Sequence, residues 1–96
     1  MKALVIAPNA EKQITEVFRA DLKNLQELVG GYIEPVRLHD NGVMLVDEDG
    51  LMKGLPLNPM ASVIAGTKIV GTAVIVGQEG AEFTDAPNDY LNMAGS

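Results

Sequence analysis

The best-defined local feature of this chain is a single amphipathic stretch. Leu22, Leu25, Leu28 and Val29 fall at i, i+3, i+6 and i+7, a spacing that gathers apolar side chains on one helix face. Asp21 suits the N-cap, where a side-chain oxygen accepts an otherwise unpaired N–H. Gly30-Gly31 suits the stop, because glycine enters the left-handed region after a last turn without a Cβ clash. The residues around this helix read mainly as short strands and turns.

Lys2–Ala7 is an apolar, β-branched run and reads as a buried strand. Pro8-Asn9-Ala10 is a turn signal, and the alternation of Ile14, Glu16 and Phe18 predicts a second strand in a hairpin with the first. Tyr32–Leu38 reads as a strand that Pro35 confines to an edge or a bulge. Asn41-Gly42 suits the paired positive φ values of a type I′ turn, with Val43–Val46 as the returning strand. Asp47-Glu48-Asp49-Gly50 then reads as a polar turn. Asn58-Pro59 resembles an N-cap followed by proline at the first helical position, opening a short helix that Gly66 stops. Ile69–Val70 and Ala73–Val76 predict one bent strand or two short ones, and Gln78–Ala81 a loop. Thr84 or Asp85 would cap a last short helix around Pro87–Met93. The expected fold is α+β in the order β-β-α-β-β-α-β-α, a small mixed sheet with a single layer of short helices. Residues 1–96 form one domain, with 94–96 expected to fray.

Composition narrows the function classes. The 47% of hydrophobic residues is typical of a globular chain and argues against disorder. Aromatics are limited to Phe18, Phe83, Tyr32 and Tyr90, so the core must be mostly aliphatic. A 96-residue domain with so few aromatics has limited core volume, which favours a homodimer or higher homo-oligomer burying a strand edge or the Leu51–Pro59 segment. There is no cysteine, so disulfides, thiolate catalysis and cysteine-ligated metals are excluded. The apolar start stops at Pro8-Asn9, short of a signal-peptide core, and no run approaches the roughly 18 apolar residues of a membrane span. A cytoplasmic protein is expected.

The net charge of -6 is unevenly placed. Residues 1–39 carry five acids and five bases, whereas residues 40–96 carry eight acids against Lys53 and Lys68 alone. No basic footprint for phosphate contacts is visible, so nucleic-acid binding is not expected.

Each catalytic or metal pattern is incomplete. His39 is the only histidine and sits beside a turn. Asp47-Glu48-Asp49 suggests a calcium loop, but the twelfth position, which must be acidic, is Asn58. Gly66–Gly71 spaces two glycines as a phosphate loop does but lacks the lysine after the second. Ser62 has no nucleophile-elbow glycines. No catalytic residue, metal ligand or cofactor is assigned, and the reading leans away from an enzyme.

A ligand site is expected around Lys53-Gly54-Leu55-Pro56-Leu57-Asn58-Pro59. It combines a lone base, a glycine and the unpaired N–H groups of a helix start, which suit an anionic group. Lys53 and Asn58 are its first residues. Asn9, at a strand end, and Tyr32, whose ring could stack on a base, are added to them.

Several segments also carry a family likeness. Met1-Lys2-Ala3-Leu4-Val5-Ile6 with Pro8-Asn9, then Leu25–Glu34, Gly54–Ala61, Ile69-Val70-Gly71 with Ala73–Gly77, and Phe83-Thr84-Asp85 together resemble domain-of-unknown-function family 3846. The likeness spans nearly the whole chain. It implies a setting in bacteriophages, plasmids and other bacterial mobile elements, and no settled activity. Two functions are therefore expected as alternatives. The first is a non-enzymatic binding protein that sequesters a small anionic or nucleotide-like host signal, as a counter-defence. The second is an acidic interaction or inhibitor module, including a DNA-mimic antirestriction role, acting on a host protein.

Overall fold

Three apolar runs that do not alternate with polar residues form the centre of the sheet. In the computed structural model, which describes residues 1–8, the backbone of 15–19, and 21–94, these runs lie in β1 (Lys2–Ile6), β4 (Gly42–Asp47) and β5 (Ala73–Glu79). With β2 (Thr15–Arg19) and β3 (Ile33–Arg37) they make a sheet of order β2-β1-β5-β4-β3. The short β6 (Glu82–Thr84) pairs with the far end of β5. Every strand pair is antiparallel, so the expected mixed sheet is corrected: each neighbour is reached by a hairpin or by a connection that reverses direction.

The fold class and the order of its elements match the sequence reading, but the helices do not form one layer. Ala3, Val5, Val43, Leu45, Val74 and Val76 face α1 (Leu22–Val29) through Leu25 and Val29. Their neighbours Leu4, Ile6, Met44, Val46 and Ile75 face α2 (Pro59–Ala65) and α3 (Asn88–Leu91) through Ala61, Tyr90 and Leu91. Side chains alternate between sheet faces, so a strand that is apolar at every position needs cover on both. The single-layer expectation fails for that reason.

Local signals set most element ends. Asp21 caps α1 through its carboxylate, which accepts the Asn24 N–H at 2.9 Å, and the Asn24 side chain accepts the Asp21 N–H in return. Gly30 closes the helix at φ 94°. The β3–β4 turn is one residue earlier than its Asn-Gly pair suggests. Asp40 and Asn41 hold the positive φ values, 56° and 62°, and the Gly42 N–H donates to the His39 carbonyl at 3.0 Å. Gly42 is required by packing instead: a Cβ there would lie 2.8 Å from the Tyr90 ring. At α3 the expected cap is absent. Asp85 accepts the Lys2 N–H at 2.6 Å, and the helix starts at Pro87 without a side-chain cap.

Candidate functional site

Asp47 ends β4, and its side chain is 2% exposed. Its carboxylate accepts the Lys53 ammonium at 2.7 Å and the Asp49 N–H at 2.8 Å. These two bonds, the lysine's first, hold the Asp47 pKa below its ordinary value although burial acts the other way. Lys53 also donates to the Gly30 carbonyl at 3.3 Å. One ammonium thus ties the C-cap of α1, the end of β4 and the turn after it. A Cβ on Gly31 would lie 3.1 Å from that ammonium and 3.6 Å from the carboxylate, so a larger residue there would press on the lysine end of the pair.

Backbone bonds complete the staple. The Lys53 N–H donates to Asp49 at 2.9 Å, Gly54 to Leu51 at 3.1 Å, and Leu55 to Gly50 at 3.1 Å. The Glu48 N–H donates to Tyr32 at 2.9 Å, which places the residue before β3 against the same turn. On this braced backbone stand three large side chains in water: Tyr32 is 74% exposed, Leu51 73% and Met52 89%. A hollow of about 360 Å³ lies between Gln26, Gly31, Tyr32, Asp49 and Lys53.

Of the four predicted ligand residues, Lys53 and Tyr32 come together in that hollow. Asn58 does not join them. It is 0% exposed, and its amide nitrogen donates to the carbonyls of Ile6 and Gly71, each at 2.9 Å. Its side-chain oxygen accepts the Ala61 N–H at 3.1 Å. Asn58 therefore closes the start of α2 and pins it to β1. The anion cradle expected of Lys53 and Asn58 is not assembled, because the lysine faces a carboxylate and the asparagine faces backbone. Asn9 lies outside the described residues. His39 is exposed beside its turn.

Asp47 is the residue that sequence reasoning misses. It reads as part of the polar turn, yet it follows four apolar residues of a buried strand directly and precedes a base by six positions. Among the described residues, no three His, Cys, Asp or Glu side chains converge as a metal site. Among the same residues, no helix is long and apolar enough to cross a membrane.

Residues 1–95 match the family model of a domain of unknown function (DUF3846). The chain belongs to that family. Within the DUF3846 match, Leu25–Glu34 supplies the Gly30-Gly31 corner beside Lys53, and Gly54–Ala61 supplies the Asn58 cap of α2. No curated protein and no solved structure matches the chain.

Proposed function

We propose that this chain is a non-enzymatic binding module that meets a protein partner through Tyr32, Leu51 and Met52. One observation carries the reading: these exposed side chains stand on backbone held in place by an ion pair whose carboxylate is buried. Apolar surface left in water forgoes roughly 25 cal/mol per Å² of burial. Bracing such surface in advance lowers the entropy lost when a partner covers it. Large apolar groups left exposed among polar ones are candidates for interaction sites.

The rim defines the partner's chemistry. Glu34, Glu48 and Asp49 are exposed around the turn, and the charge of Lys53 is offset by Asp47. The fitting partner is a protein surface with an apolar centre and basic surroundings. In the mobile-element setting that the family likeness suggests, that partner is a host protein in the bacterial cytoplasm, and covering it is a counter-defence.

The test is affinity capture from a bacterial lysate, followed by titration of the captured protein in purified form. Leu51→Ser with Met52→Ser should weaken the complex about tenfold or more, since exposed anchors of this kind dominate interface energy. Added salt should weaken it further, and the melting temperature should stay near the parent's. An affinity indifferent to both changes would rule the surface out.

A second reading, capture of a small nucleotide-like or anionic molecule, is favoured by the meeting of Tyr32 and Lys53 in one hollow. An ammonium has three donors; Asp47 and Gly30 take two of those of Lys53. Nucleotides screened by thermal shift should stabilise the parent and not Tyr32→Ala, and equal shifts in both would exclude stacking on that ring.

A further inference from the structure

We propose that a second hollow, beside the β3–β4 turn, binds a small oxyanion through Arg37. It measures about 290 Å³ and is lined by Arg37, Asn41 and Gln78 together with Leu38, Val43 and two glycines. Strand register builds it. Arg37 lies opposite Val43, and Val43 opposite Val76. Side chains two residues apart share a face, so Gln78 stands on the same face as Val76. Arg37 and Gln78 are therefore two walls on the α1 side of the sheet, with buried Val43 as the floor. Asn41 closes the end, its carbonyl accepting the Gln78 N–H at 3.2 Å.

Charge distinguishes this hollow from two others. The Tyr32–Lys53 hollow contains Asp49, and its lysine is paired with Asp47. A groove of about 230 Å³ along β3 sets Glu34 and Glu48 beside Lys68. The Arg37 hollow contains no carboxylate, and among the described residues Arg37 enters no ion pair. In a chain of net charge -6, an unpaired guanidinium facing a carboxylate-free hollow is an uncommon resource.

The donors match an oxyanion. A guanidinium offers parallel N–H groups that engage two oxygens of a phosphate or carboxylate together. The Gln78 amide nitrogen donates one hydrogen to the Gly80 carbonyl at 3.2 Å and keeps its second. The Asn41 amide adds two more. This hollow lies at the opposite end of β4 from Lys53 and is separate from the Tyr32–Lys53 hollow. The site does not depend on the protein-partner reading above.

The experiment is a titration of the ¹⁵N-labelled full chain with inorganic phosphate and, separately, with acetate, at ionic strength held constant by sodium chloride. Saturable amide shifts are expected at 37–43 and 78–80. Arg37→Gln should weaken binding about tenfold or more, the size expected for losing a charged hydrogen bond. Gln78→Glu should do the same by placing a carboxylate against the guanidinium. Tighter phosphate binding assigns a phosphorylated ligand, and tighter acetate binding a carboxylate. Shifts that rise linearly, or equally in the parent and both variants, overturn the site.

Discussion

Asp47 gives up hydration for two donors, Lys53 and the Asp49 N–H, and the cost of removing either side of such a pair falls on the group left behind. Lys53 is 42% exposed at its side chain, so water recovers much of that cost. Asp47→Asn should therefore lower stability by about 1–2 kcal/mol, measured by chemical denaturation, rather than by the larger loss of a fully buried pair. The pH dependence has a definite sign. A folded pKa below the ordinary 3.8 means that the unfolded chain binds the proton more readily. The contribution is complete above that value and is lost as pH falls below it. The parent's denaturation midpoint should drop through this acid range, and Asp47→Asn should remove that component. Asn58→Ala is the more severe change. It strips partners from the Ile6 and Gly71 carbonyls and from the Ala61 N–H, and should cost about 3 kcal/mol. That variant is consequently unsuited to probing ligand binding, because its unliganded melting will not stay near the parent's.

Among the elements, α1 is the most legible in the sequence, since its cap, stripe and stop all lie within ten residues of one another. Gly30 holds φ 94°, a region that β-branched residues avoid, so Gly30→Val should destabilise by about 1 kcal/mol or more. An unchanged denaturation midpoint would contradict this. The helix start at Asn58 and its stop at Gly66 are equally readable. The β3–β4 turn shows the limit of such signals. Asn-Gly marks a hairpin, yet the packing of Tyr90 over Gly42 draws the glycine into the strand and moves the positive φ values onto Asp40 and Asn41. The cap of α3 is lost to competition of the same kind, because Asp85 serves the N–H of Lys2 from the opposite end of the chain.

For the molecule as a whole, the edges of the sheet bear on how it associates. The Glu48 N–H bonds Tyr32 and the Leu38 N–H bonds Gly42, so alternate residues of β3 face β4 and Ile33, Pro35 and Arg37 face outward. Proline has no N–H to offer at the middle of that row, which blunts the edge against another strand. Pro35→Val should restore the donor and produce concentration-dependent association in sedimentation, beyond whatever the parent shows. The homodimer expected from the limited core would then form away from β3. Duplex DNA should not bind at physiological salt, given the acid excess and scattered bases. A salt-sensitive gel shift at micromolar protein would refute this.

The sequence by itself determined the caps and stops of α1 and α2, the order of the elements, the edge position of the proline strand and the family. These depend on backbone sterics and on spacing within a few residues, which the order of residues records directly. The tertiary structure decided which faces are covered, that Asp47 is buried, that Asn58 serves backbone 52 residues away, and that Arg37 and Gln78 share one hollow. Each of these follows from strand register and burial, and both are set by contacts between segments distant in the chain. A charge or an amide reads the same in sequence whether it will meet water, a carbonyl or a ligand. Only the neighbours that folding brings to it select its role.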